Sequence, residues 1–89
     1  MANTRSAKKR IRQTERRTLH NKMIRSRFRT AIRRFREAVA AGDLERVKAA
    51  FARATSLLDK AAKVGVIHPN AAARRKSRLA RDLARAQGA

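Results

Sequence analysis

The hydrophobic positions of the chain fall into two long stripes with helical spacing. The first stripe steps by four, four, three and four positions through Ile24, Phe28, Ile32, Phe35 and Val39. The second steps alternately by three and four positions through Leu44, Val47, Phe51, Ala54, Leu58 and Ala61. Because α-helical residues three and four apart lie on one face, each stripe predicts a helix that packs along a single seam.

Glycine and capping residues separate these stripes into distinct helices. Gly42 suits a left-handed C-cap and Asp43, next to it, is a good N-cap. Gly65 is placed to end the second helix in the same way. The chain has only three Gly and one Pro, and good helix formers dominate elsewhere. The pattern therefore predicts three helices, over about 5–41, 44–64 and 69–86.

The third helix is apolar on one side and basic on the others. Pro69 fits its first turn, with His68 as the expected N-cap and Asn70 as the competing choice. Its apolar face comprises Ala72, Leu79 and Leu83, preceded by Val66 and Ile67 as a hydrophobic anchor. Six bases and one acid, Asp82, occupy the other faces; the bases are Arg74, Arg75, Lys76, Arg78, Arg81 and Arg85.

The apolar seam covers only the second half of the first predicted helix. Upstream of Ile24 the apolar residues Ile11, Leu19 and Met23 point in other directions. A helix of some 36 residues is about 54 Å long, whereas a compact domain of this size is about 30 Å across. We therefore predict an all-α fold: a three-helix bundle whose long N-terminal helix projects as a basic arm. The expected single domain, 1–89, divides into an arm, 1–23, and a bundle, 24–86, with helices two and three both docked on helix one.

Positive charge is concentrated in the first helix. Fourteen Lys or Arg between Met1 and Arg36 face a single acid, Glu15, which leaves +13 of the formal +19. Nine of the ten bases after Arg10 are arginines, which favours forked contacts to phosphate. Like charges weaken a compact state, so a polyanion is the expected partner. On this ground the nucleic-acid contacts of the arm and its root include Arg5, Arg12, Arg16, Arg17, Lys22 and Arg25.

Other interpretations of the arm fit less well. A basic block can be a disordered tail in the free protein. A membrane-surface helix separates an apolar face from a basic one, whereas charge here appears on all sides. A basic leucine zipper needs continuous heptads, and Gly42-Asp43 interrupts them. Architectural DNA binding stays open. The Arg-rich start resembles a mitochondrial presequence, but basic residues continue to Arg36 and return near the C-terminus.

Catalytic and metal chemistry find no support in the sequence. There is no cysteine, and His20 and His68 are 48 residues apart without an acidic cluster between them. The six acids are scattered and no Gly-rich phosphate loop is present. No apolar run approaches the roughly 20 residues of a membrane span. We expect a chain that is not an enzyme and has no catalytic residue, cofactor, metal site or membrane association.

The whole chain resembles the bacterial small-subunit ribosomal protein S20 family. The most specific part is the run GVIHPNAAARRKSRL, residues 65–79. Matching segments are MAN at the start, SAKKR at 6–10, HN at 20–21, RT at 29–30, and AGD at 41–43, where the family turns between its first two helices. One departure is Pro69, where many members have Lys, so no cationic contact is expected there.

The resemblance implies a three-helix bundle that binds small-subunit ribosomal RNA in the cytoplasmic ribosome. The RNA partners implied are the five-prime domain and the long penultimate stem, which the protein would bridge and stabilise during assembly, with few or no protein contacts. Carried over by position, the implied RNA-facing residues of helix one are Ser6, Lys8, Lys9, Arg10, His20, Asn21 and Arg29. Those of helix three are His68, Asn70, Arg74, Arg75, Lys76 and Arg78.

Overall fold

Residues 4–88 are described by a computed structural model, and they form three α-helices without a strand. The helices are α1, Arg5–Ala41; α2, Leu44–Lys63; and α3, Pro69–Gly88. The predicted fold class is confirmed, and each helix boundary lies within two residues of its predicted place. The family-like MAN segment and the first three residues of the expected arm lie outside the described residues.

Capping side chains determine where α1 and α2 begin and end. The Thr4 hydroxyl accepts a hydrogen bond from the Ala7 amide at 3.2 Å, a cap that the sequence pattern did not predict. Gly42 has φ +74°, which a glycine adopts without a Cβ penalty, and its amide bonds the Val39 carbonyl. The Asp43 carboxylate accepts from the Arg46 amide at 3.3 Å, as predicted for an N-cap.

The turn between α2 and α3 is ordered by backbone hydrogen bonds to the last turn of α2. The Val66 amide donates to the Ala61 carbonyl at 2.9 Å, and Gly65 reverses the chain with φ +80°. His68 caps α3: its Nδ1 accepts from the Asn70 amide at 3.1 Å, and its carbonyl accepts from Ala72. The choice between His68 and Asn70 is thus resolved in favour of His68.

The core follows both predicted seams with a few departures. The least exposed large side chains are Phe28, Phe35, Val47 and Leu58. Leu44 was expected in the seam of α2 but is 45% exposed. It is the first residue of α2, so it lies at one end of the helix, where fewer neighbouring side chains surround it. Ala38, which the seam did not include, is buried. Val66 is buried and Ile67 half-buried, as expected of an anchor.

The three helices do not pack equally against one another. α2 lies along α1, α3 lies along α2, and α3 meets α1 at only a few points. The expectation that helices two and three both dock on helix one is therefore correct for α2 and overstated for α3. The molecule measures 63 × 23 × 15 Å, and the long axis reflects the roughly 55 Å expected of a 37-residue helix. Burial along α1 begins at Ile24.

Candidate nucleic-acid interface

All the cationic side chains of residues 4–88 reach solvent. Within this part of the chain no polar or charged side chain is buried. A cation held at the surface keeps its hydration and can exchange counterions for a polyanion without first breaking a buried network. The positions of these cations, rather than their accessibility, therefore determine which surface can bind.

The N-terminal part of α1 is exposed on every side. Between residues 4 and 23 only Ala7 and Asn21 are partly covered, and every base there is exposed. The residues expected to face RNA in this stretch are therefore available, but they project around the whole helix and not toward one site. They are Arg5, Ser6, Lys8, Lys9, Arg10, Arg12, Arg16, Arg17, His20, Asn21 and Lys22.

A basic groove runs between α1 and α3, where the two helices barely touch. Its volume is about 560 Å³. Six arginines line it, three from each helix, together with Ile32, Ala71, Leu79 and one acid, Asp82; the arginines are Arg29, Arg33, Arg36, Arg74, Arg75 and Arg78. We call this feature the α1–α3 groove. Like charges on its two walls repel each other, so a bound anion would relieve that repulsion.

One arginine of the groove is oriented by the core beneath it. The guanidinium carbon of Arg75 lies 5.4 Å from the centroid of the Phe28 ring. Phe28 is 1% exposed, so its ring presents a fixed face to the cation. Cation–π attraction restricts the positions that the guanidinium can adopt. The groove therefore has at least one preorganised cation on its α3 wall.

The groove continues onto a second concave strip that lies on α1 alone. This strip has a volume of about 700 Å³ and is lined by Thr18, Lys22, Arg25, Ser26, Arg29, Thr30 and Arg33. Arg29 and Arg33 line both features. The basic surface therefore runs without interruption from the bundle to the exposed part of α1, and it includes Lys22 and Arg25 from the sequence prediction.

Three of the residues that the sequence predicted to face RNA near α3 do not line the α1–α3 groove. Lys76 is partly covered, and its Nζ lies 2.7 Å from an Asp59 carboxylate oxygen of α2. Its ammonium is thus engaged within the protein. His68 and Asn70 form the cap at the start of α3. Arg74, Arg75 and Arg78 are the predicted residues that the structure brings together with Arg29.

Two groove residues were missed by sequence reasoning. Arg33 and Arg36 follow Arg29 at steps of four and three, which is the spacing of the seam itself. They form a basic stripe beside the apolar one. Arg33 also lies 3.8 Å from the Glu37 carboxylate, an exposed pair that contributes little stability. The sequence therefore shows that these arginines share one face of α1, but it does not show that this face lies beside α3.

Residues 4–88 contain neither a candidate metal centre nor a candidate membrane span. No group of three or more His, Asp or Glu side chains between residues 4 and 88 could hold a metal ion. In that range, too, every helix is too short or too polar to cross a bilayer.

Comparison with known proteins identifies relatives over nearly the full length. The family described as "Ribosomal protein S20" matches residues 2–84. A protein from Clostridium botulinum (strain Alaska E43 / Type E3) is 53% identical over 83 residues, covering 93% of this chain and 95% of the relative. One from Symbiobacterium thermophilum is 55% identical over 89 residues, covering 100% and 92%. One from Roseiflexus sp. (strain RS-1) is 55% identical over 91 residues, covering 100% and 97%. Each bears the name "Small ribosomal subunit protein bS20".

Proposed function

The chain belongs to the ribosomal protein S20 family, and we propose that it is a structural component of the bacterial small ribosomal subunit that binds small-subunit ribosomal RNA directly. Membership of a family of structural ribosomal proteins bears out the expectation that the chain is not an enzyme. In this proposal the protein acts in the cytoplasmic ribosome and bridges the five-prime domain and the long penultimate stem during assembly, with few or no protein contacts.

The observation that carries the proposal is the set of six arginines facing one another across the α1–α3 groove. Arginine presents a planar fork that fits phosphate oxygens, and arginines on two walls can hold one RNA backbone from both sides. The RNA would also supply the negative charge that keeps the two walls together. The repulsion between the two walls would then become an attraction through the bound strand.

The exposed part of α1 provides the second contact needed for bridging. In this proposal residues 1–23 form an RNA-binding arm, and residues 24–86 form the bundle that anchors it. In the described part of the arm, residues 4–23, bases lie on every side of the helix and all of them are exposed. A rod charged on all sides can lie between RNA helices, where phosphates approach from several directions. The arm and the groove therefore bind separate RNA segments and hold them at a distance set by α1.

Affinity in this proposal comes mainly from phosphate neutralisation. A-form RNA has a deep, narrow major groove that side chains do not read, so limited base recognition is expected. If the protein contacts 6–10 phosphates, raising the salt concentration from 50 to 200 mM should lower the affinity by about 10³- to 10⁵-fold. Fluorescence anisotropy with a small-subunit RNA fragment over this range measures that slope. A flat dependence on salt would contradict direct phosphate binding.

Matched variants locate the binding surface. Replacing Arg74 and Arg78 by Gln removes two groove cations while keeping good helix formers. We expect the slope of log affinity against log salt to fall by about two, one for each phosphate that is no longer neutralised. The control replaces Arg46 and Arg53, exposed bases of α2, by Gln and removes the same charge elsewhere. Equal reductions in affinity for both double variants would assign binding to net charge alone.

Bridging is tested by crosslinking, and the absence of native cysteine simplifies the design. Single substitutions Gln13→Cys on the arm and Ala71→Cys in the groove each carry a photoactivatable crosslinker. We expect the two sites to label different RNA segments in reconstituted small subunits. Labelling of one shared segment would contradict bridging while leaving direct RNA binding intact.

A competition experiment tests the alternative that the chain is an architectural DNA-binding protein. Displacement of ribosomal RNA by duplex DNA at equal concentration would favour that alternative.

A further inference from the structure

Two large apolar side chains stand exposed near the C-terminal end of the basic arm. Leu19 is 61% exposed and Met23 is 47% exposed. Scattered apolar residues are common on protein surfaces. These two, however, are four residues apart, so they are neighbours on one face of α1 and form a continuous apolar patch.

The patch faces away from the bundle. Counting 100° per residue, it lies roughly 140° around α1 from the seam of Ile24, Phe28 and Phe35. It therefore cannot be covered by α2 or α3 without unwinding the helix. Whatever covers Leu19 and Met23 must come from outside this chain.

The surroundings of the patch indicate what can cover it. On the same face, Arg12 and Arg16 precede Leu19 and Met23, and Arg27 follows them. The one acid of the arm, Glu15, lies four residues before Leu19, so three bases and one acid surround the patch. Arg16 and Arg27 are about 16 Å apart along the helix axis, with the apolar pair between them. A second copy of this chain, with formal charge +19, would be repelled from such a face. The complementary partner carries negative charge at both ends and offers a less polar surface between them.

We propose that Leu19 and Met23 pack into the shallow minor groove of an RNA helix, against its riboses, while the flanking arginines bind the phosphates on either side. The minor groove of A-form RNA is wide and shallow and displays 2′-hydroxyls and base edges to side chains. The carbon atoms of the riboses are the part of that surface on which Leu19 and Met23 would pack. This inference rests on the proposed function, and it adds a contact that does not depend on charge. It also assigns this face of the arm to double-stranded RNA, since neither side chain is aromatic and neither can stack on an unpaired base.

A charge-neutral double variant separates this contact from phosphate binding. Leu19→Gln with Met23→Gln makes the patch polar while preserving charge and helix propensity. We expect affinity for the small-subunit RNA to fall by roughly tenfold or more at every salt concentration, because less apolar surface is buried on binding. The slope of log affinity against log salt should stay at the wild-type value, because the phosphate contacts are unchanged. Leu44→Gln is the control, because Leu44 is a comparably exposed apolar residue, at 45%, at the start of α2.

The outcomes distinguish this inference from the proposed function. A variant that binds as tightly as the wild type would overturn the inference, while a steep wild-type slope would still support RNA binding. A lowered slope would also overturn it, since the substitutions would then act through the cations. A variant that binds isolated RNA normally but fails to enter reconstituted subunits would assign the patch to a ribosomal protein. Circular dichroism of the free variant must match the wild type for a drop in affinity to count in support.

Discussion

Arg75 of α3 lies over Phe28 of α1, with its guanidinium carbon 5.4 Å from the ring centroid. This pair joins the two helices that otherwise approach each other least. It also connects a fully buried core residue with a cation of the groove. Packing and RNA binding are therefore coupled at this position, and the coupling can be measured.

A double-mutant cycle with Phe28→Leu and Arg75→Ala tests that coupling. We expect an interaction energy of about 0.5–1 kcal/mol in urea unfolding, the usual size of a cation–π contact at an exposed site. Phe35→Leu is the control for Phe28→Leu because Phe35 is equally buried and no Arg lies over it in the described residues. A coupling as large between Phe35→Leu and Arg75→Ala would show that the effect is general loosening of the bundle.

The core depends more on Phe35 than on Phe51. Phe35 is completely buried, whereas Phe51 is half-buried and its ring is 6.1 Å from that of Phe35. Phe35→Ala should lower the free energy of unfolding by about 3–5 kcal/mol, because the cavity it leaves is fully enclosed. Phe51→Ala should cost less, since water can enter part of the vacated space. Chemical denaturation of both variants checks the order, and a larger destabilisation by Phe51→Ala would be inconsistent with the packing.

The arm should be less stable than the bundle in the free protein. Residues 4–23 are exposed except for Ala7 and Asn21, which are partly covered, so tertiary packing contributes little to the stability of this part of α1. Like charges four residues apart, such as Arg12 and Arg16, each cost about 0.2–0.5 kcal/mol. We expect amides before Lys22 to exchange much faster than those around Phe51, and to become protected when RNA binds. Hydrogen exchange with and without RNA measures both states. Equal protection of arm and core without RNA would show that the arm is stable by itself.

The ion pair between Lys76 and Asp59 should make Lys76 a weaker RNA contact than its neighbours. The two groups are 2.7 Å apart but remain partly exposed, with 39% and 60% of the side chains accessible. Asp59→Asn should therefore change stability by no more than about 1 kcal/mol. Lys76→Ala should reduce RNA affinity less than Arg78→Ala, because Arg78 lines the groove and the Lys76 ammonium is already engaged. Binding isotherms at one salt concentration compare the two, and an equal reduction would place Lys76 among the phosphate contacts.

Local features of the sequence were sufficient to predict the helices. Spacing by three and four identified the seams of α1 and α2, and Gly42, Asp43 and His68 marked the helix ends, because capping depends on residues close in the chain. The N-terminal end of the first seam, at Ile24, also predicted the residue of α1 at which burial begins. Leu44 has the spacing of the seam of α2 but is 45% exposed, because burial of the first residue of α2 depends on whether a neighbouring helix extends that far.

The chain by itself therefore determined three helices, a long basic α1 and the residues available to bind a polyanion. Only the tertiary structure decided that α3 packs on α2 and leaves a groove beside α1. That placement adds Arg33 and Arg36 to the candidate site and pairs Lys76 with Asp59. The physical reason is that periodicity reports which face of a helix is apolar, whereas the distance between two basic faces depends on how the helices pack. Arg29 and Arg78 are 49 residues apart in sequence, and only packing brings them to one groove.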